Sequence, residues 1–295
     1  MTQSLAMNSK MDTHDLIGLG SYSFRYAARI KEKIEGTLAS MDAIAFVEET
    51  ARLGLKRALI CENLNYCDSD ETYFKKLAET AVQLGITIEV GMKGVSTENL
   101  IKHINIAKIL GAKQMRIVLG DASETLPNDL DKLKSKSLKS IRSILPILEE
   151  ADLYLGIENH FDLAVTELVD IVSQINNKRI GFIYDTTNCI GLLEKPLDVL
   201  HLMKEHLFSV HLKDYECRKT DAGYFFSGAD LGEGSLDIAA VIKIVRSYNP
   251  DACFILEYSM KPVEKMSDKE LLDWERERVT RNVAAMLEVV QNEGF

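Results

Sequence analysis

The segment TENLIKHINIAKILGAKQMRIVLG, residues 97–120, decides the fold. Leu100, Ile104, Ala107 and Leu110 recur at three- and four-residue spacing, which predicts an amphipathic helix. Gly111 follows at once, and glycine suits the left-handed position that ends a helix. The apolar run Met115–Leu119 that comes next has the length and composition of a strand buried on both faces. Upstream the same unit recurs. MDAIAFVEETARLG and ETYFKKLAETAVQLG end in Leu53-Gly54 and Leu84-Gly85, directly before the β-rich runs LKRALICE and ITIEVGM. Working outward, eight such runs start at Leu16, Leu55, Ile86, Lys113, Leu153, Arg179, Leu207 and Ala252. A helix-like stretch fills each gap, and the last helix opens on the capping-box pattern Ser267-Asp268-Lys269-Glu270.

Eightfold alternation of strand and helix implies parallel strands joined by crossover helices. At about 250 residues its closed solution is a (β/α)8 TIM barrel, an α/β fold in a single domain. The rival is an open doubly wound sheet, which usually brings a glycine-rich first turn. The nearest candidate, Gly18-Leu19-Gly20-Ser21-Tyr22-Ser23, lacks the third glycine. We expect a loose N-terminal leader over residues 1–13 and the catalytic barrel over 14–295.

Composition narrows the partners. The 35 Lys+Arg against 45 Asp+Glu give a net charge of −10, which opposes sequence-independent nucleic-acid binding. No apolar run reaches the ~18 residues of a membrane span, and the N-terminus has no apolar signal core. The five cysteines include no Cys-x-x-Cys pair and read as reduced thiols of a cytoplasmic protein. The expected partner is a small molecule, without nucleic acid or membrane; a homo-oligomer is compatible with all of this.

A TIM barrel carries its active site at the C-terminal ends of its strands. The last four strands end in Glu158-Asn159-His160, Asp185-Thr186-Thr187-Asn188, His211-Leu212-Lys213-Asp214 and Glu257-Tyr258. Each is apolar until it stops at an acid or a histidine. Buried charges need a partner. Four converging donors of this kind suit a divalent ion, with Mn2+ favoured by the three carboxylates and Zn2+, Co2+, Fe2+ or Mg2+ as alternatives. Taken singly, Asp185 reads equally as a helix cap and His211 as a hydrogen-bonded core residue.

These motifs, with the loop Leu231-Gly232-Glu233-Gly234, resemble the xylose-isomerase-like TIM barrels, the sugar phosphate isomerase/epimerase family, over nearly the whole chain. The resemblance implies that Glu158, Asp185, His211 and Glu257 bind one divalent metal. It implies that the two glutamates face each other across a ketose, keto acid or oxidised sugar. The ketose epimerases of this family carry a histidine where Asn188 stands here. The related abasic-site endonucleases need further histidines for a trinuclear zinc site, and this chain has six in all.

The expected function is metal-dependent isomerisation or epimerisation of a sugar or sugar-acid substrate, with Glu158 and Glu257 moving protons through a metal-stabilised enediolate. The alternative is a lyase, either dehydratase or decarboxylase, on a keto-sugar or sugar acid. A non-catalytic sugar-binding barrel and an abasic-site endonuclease rank below both. Candidate substrate-binding residues are His160, Asn188, Lys213, Arg218 and Tyr22. His160 and Lys213 lie two residues beyond a proposed ligand and so share its strand face. Asn188 could serve a substrate hydroxyl or cap a helix. Tyr22 and Phe24 leave the first strand as an apolar wall or as core. Residues 215–234 read as a long loop, a candidate lid carrying Arg218. Arg116 and Glu89, on neighbouring strands, read as an ion pair inside the barrel. Cys189 lies beside the site without a base partner.

Overall fold

Eight parallel strands close on themselves. The computed structural model describes residues 13–120, 129–258, 260–262 and 264–293. In chain order the strands are β1 (Ile17–Gly20), β2 (Arg57–Ile60), β3 (Thr87–Lys93), β4 (Gln114–Val118), β5 (Tyr154–Glu158), β6 (Ile180–Asp185), β7 (Leu207–Leu212), β8 (Asp214–Thr220), β9 (Gly223–Ala229) and β10 (Cys253–Leu256). The barrel runs β1-β10-β7-β6-β5-β4-β3-β2, and β8 pairs only with β9. All eight expected strands form the barrel. The expected leader lies outside the described residues except for Thr13.

The helices wrap the outside: α1 (Arg25–Arg29), α2 (Ala43–Arg52), α3 (Glu71–Leu84), α4 (Thr97–Leu110), α5 (Leu130–Glu150), α6 (Val165–Ile175), α7 (Pro196–Met203), α8 (Ile238–Tyr248) and α9 (Asp268–Asn292). Asp42, Asp70, Ser96, Asp129, Asp237 and Ser267 cap their N-termini by accepting from backbone N–H groups. The capping box at Ser267 and Glu270 is complete. Gly111 ends α4 at φ 68°, as its position after Leu110 requires. Phe46, Leu77, Leu100, Ile104, Ile141 and Ile144 bury the inner helix faces against the strands. Among the described residues no helix is long and apolar enough to cross a membrane.

Two sequence expectations change. Residues 214–229 are not an irregular loop but a hairpin, with seven cross-strand pairs from Asp214↔Ala229 to Thr220↔Gly223. Asp221-Ala222-Gly223 supplies its tight turn, and Gly223 takes a φ of 140°. Arg116 does not pair with Glu89. The register sets Arg116 opposite Gly91 on β3 and Gly156 on β5, two residues above Glu89. Glu89 is taken lower in the barrel by Arg57, at 3.1 Å, and by Gln114, at 3.0 Å. Arg116 instead extends upward to Glu158.

Alternation along the strands decides what meets at the barrel mouth. Inward rows climb through Ser209, His211 and Lys213 on β7, Cys253 and Ile255 toward Glu257 on β10, and Glu89, Gly91 and Lys93 on β3. The bottom layer is polar and paired within itself, with Gln114 also donating to Ser209 at 3.1 Å. Leu59, Cys61 and Ile255 form a small apolar layer above it. The remaining charge is gathered at the top.

Candidate metal centre and substrate pocket

The four strand-end donors converge. One ligand atom each from Glu158, Asp185, His211 and Glu257 lies within 4.8 Å of the others, and all four residues are buried. Local structure aims each one. Asp185 Oδ1 accepts from the backbone N–H groups of Thr187 and Asn188, both at 2.9 Å, which leaves Oδ2 facing inward. Asn159 ties β5 to β6 by accepting from Asp185 N–H at 2.7 Å and donating to Asp185 O at 2.9 Å. Gly20 leaves room for Glu257, because a Cβ there would stand 2.7 Å from its Cγ.

The donor set fits a divalent ion. Neither ring nitrogen of the buried His211 makes a hydrogen bond of good geometry, and Nδ1 stands 3.4 Å from Glu158 and 3.6 Å from Glu257. Glu257 Oε1 also lacks a hydrogen bond. Asp185 Oδ2 touches the Lys213 ammonium at 2.5 Å and makes no hydrogen bond. Unsatisfied buried atoms are costly, and here they belong to three of the four proposed ligands, His211, Glu257 and Asp185, the last relieved only by its ion pair, while Glu158 is fully hydrogen-bonded. Oxygen and imidazole donors without a thiolate suit Mn2+ or Mg2+ as readily as Zn2+.

The two glutamates are held differently. Glu158 receives Arg116 on Oε2 and the Asn188 amide on Oε1, the latter at 3.0 Å. Burial alone would raise its pKa, but Arg116 and His211 outweigh burial and hold it well below the usual carboxylate range. Glu257 meets Lys213 on Oε2 at 2.8 Å and keeps Oε1 unbonded. Its pKa is also lowered, because Lys213 and His211 overcome burial. For His211, burial opposes the charged form, but Glu257 and Glu158 raise the pKa. The Lys213 ammonium is kept charged against its burial by Asp185 and Glu257.

A cavity of about 220 Å³ opens above this centre. Tyr22, His160, Asn188 and Lys213 line it, together with Glu158 and Glu257. His160 turns toward Asp162, at 3.8 Å, and packs edge-on against Phe161. Tyr22 donates to Glu62 Oε1 at 3.0 Å, and Phe24 is core, edge-on to Phe46. Arg218 is not brought into the pocket. It sits on the exposed hairpin with its guanidinium over Phe225, 5.2 Å from the ring centre. Burial pushes the Cys189 thiol up to about 12, so it is no thiolate nucleophile.

Sequence reasoning missed Arg25, Glu62 and Lys93, which line the other side of the cavity with Arg116. Glu62 and Lys93 follow β2 and close β3, so the question asked of the last four strand ends would have found both in the first four.

A family pattern described as xylose isomerase-like TIM barrel matches residues 26–288. The chain belongs to this family. A 3-oxo-isoapionate decarboxylase from Pectobacterium atrosepticum is 27% identical over 244 residues, covering 82% of this chain and 85% of that protein. A family member from Mycobacterium smegmatis, solved in complex with magnesium, superposes with a TM-score of 0.69 at 14% identity, covering 94% and 97% of the two chains. A D-psicose 3-epimerase from Clostridium cellulolyticum, solved with D-tagatose, gives 0.67 at 14% identity, covering 94% and 98%. Characterised relatives are sugar-modifying enzymes, and the buried cluster at the mouth of this family member can hold a metal.

Proposed function

We propose that this protein is a metal-dependent lyase that decarboxylates a 3-oxo sugar acid. The observation that carries this reading is the unequal footing of the two glutamates. An epimerase needs two carboxyls, each able to take up and release a proton on its own face of the substrate. Here Arg116 and Asn188 occupy both oxygens of Glu158, whereas Glu257 keeps Oε1 free of a hydrogen bond. Decarboxylation makes no such demand. The bond from carbon to carboxylate breaks and CO2 leaves. The electron pair passes into the adjacent keto group as an enolate, and one proton returns to the carbon that lost CO2.

Glu158, Asp185, His211 and Glu257 hold the ion in this reading, and Mn2+ is the ion we propose. A divalent ion there supplies a Lewis acid for the keto and hydroxyl oxygens. Arg116, buried, and Lys213, largely buried, add fixed positive charge where the enolate develops. Glu257, with Oε1 unbonded, is the carboxylate that relays the returning proton. Asn188 and His160 orient hydroxyls. The named activity of the Pectobacterium relative supports the same reaction class.

The test is product analysis. Mn2+-loaded protein incubated with a 3-oxo aldonic acid should release one CO2 per ketose formed. In D2O one deuterium should appear at the carbon that carried the carboxylate. An isomeric acid without CO2 would reject the lyase. That outcome would favour epimerisation, which the presence of both glutamates in the cavity lining supports.

A further inference from the structure

We infer that Lys93 binds the substrate's carboxylate, in an anion subsite on the side of the pocket away from the metal centre. The inference rests on the decarboxylation reading and adds to it where the acid group docks. The cavity is electrically divided. Its β5-to-β10 side carries the acids Glu158 and Glu257, above Asp185 and His211, and its one lysine, Lys213, is already paired with Asp185 and Glu257. Its β1-to-β4 side is lined by Arg25, Lys93 and Arg116, with Glu62 as the one acid on that side among the lining residues. Arg116 is committed to Glu158 and stands a further 3.9 Å from Glu62 Oε2. Glu62 accepts from Tyr22, and its Oε2 makes no hydrogen bond. The Lys93 ammonium stands 3.7 Å from Glu62 Oε1, beyond hydrogen-bond length, and 37% of the side chain remains open to solvent. A small sugar acid chelated through its keto and hydroxyl oxygens at the acidic side therefore presents its far end to Lys93, and a hydroxyl to Glu62 Oε2.

The choice of lysine suits the chemistry. A guanidinium fork would clamp a carboxylate in a planar, doubly bonded grip and stabilise the ground state. An ammonium is a compact point charge on a flexible stem. It attracts the carboxylate yet leaves it free to rotate until the breaking bond stands perpendicular to the keto plane. In that position the electron pair can enter the carbonyl system.

Calorimetric titration with two probes of equal length, D-xylonate and xylitol, tests the subsite, with and without Mn2+. In wild-type protein xylonate should bind at least about tenfold more tightly than xylitol, in keeping with one partly solvated charge-assisted contact. Lys93→Gln should bring the two probes to within about threefold, while Lys93→Arg should retain most of the preference. Equal binding of the probes by wild type, no detectable xylonate binding, or a preference undiminished in Lys93→Gln would each overturn the subsite. The two readings fail separately. CO2 release with an unchanged KM in Lys93→Gln removes the subsite alone. A xylonate preference that needs Lys93, in a protein that releases no CO2, removes the lyase alone.

Discussion

The two sides of the barrel mouth are built by different means. From β5 to β10, short acidic or imidazole side chains sit directly on strand ends, and backbone amides or neighbouring side chains fix their direction. From β1 to β4, long cationic side chains reach in from strand ends and from the corner at Tyr22 and Arg25. Rigid, converging donors suit an ion that tolerates little displacement. Flexible cations suit a group that must turn before it leaves. The bridge between the sides is Arg116, which rises from β4 and ends on Glu158 of β5.

The comparison breaks most visibly on its acidic side. Asp185→Ala or His211→Ala should weaken Mn2+ binding by more than the roughly 10–100-fold that loss of a mere supporting group costs. Metal titration of the purified variants measures this, and full retention of the ion in the double variant would remove the metal centre. The two glutamates sharpen the contrast next. Glu257→Gln should lower kcat by about 10²-fold or more, the lower range for proton transfer by a positioned side chain. Glu158→Gln should act mainly on Mn2+ affinity. Equal kcat losses in both variants with the metal retained would restore a symmetric two-base pair.

The basic side has a smaller, pH-dependent signature. Glu275 of α9 is buried, and its carboxylate accepts from Tyr26 N–H at 2.8 Å and Ala27 N–H at 2.9 Å, so the last helix caps α1 beside the pocket. Burial pushes its pKa from 4.5 to about 7 despite those two donors. A folded-state value above the unfolded one gives stability that is complete below pH 4.5 and is lost as pH rises through about 7. Relative to Glu275→Gln, wild type should therefore lose on the order of 2 kcal/mol between pH 5 and pH 8. Urea unfolding at both pH values measures this difference. A difference independent of pH would mean that Glu275 is ionised throughout.

Much of this architecture is legible in sequence, for reasons that also explain the gaps. Leu-Gly before each early strand and acids ending each late strand are local signals, and both led to correct placements. The pairing of Arg116 is not local. It depends on register, which sets Gly91 and Gly156 beside it and drops Glu89 below it. The hairpin is hidden because Asp-Ala-Gly is a weaker turn signal than Asn-Gly, and two solvent-exposed strands, one polar and one aromatic, show no alternation with a buried face. Lys93 and Glu62 escaped because a charged residue closing a strand is unremarkable until its neighbours are known. Asn188, read as a cap or a substrate contact, lines the cavity and donates its amide to Glu158 and to Asn159 O, a pairing no local signal announces.

The seam of the barrel has a consequence for how the molecule is made. β1 meets β10 with Ile17 opposite Phe254, and Ser23 donates to the carbonyl of Leu256, 233 positions away. At a synthesis rate of ~5–20 residues per second, the outer edge of β1 waits on the order of 10–50 s for its partner to leave the ribosome. Throughout that interval the nascent chain carries an open strand edge, the kind of surface that recruits other chains. Glu257 is translated within a few residues of the strand that seals this edge. The growing polypeptide thus stays without the full set of candidate metal ligands until it can also close against its neighbours.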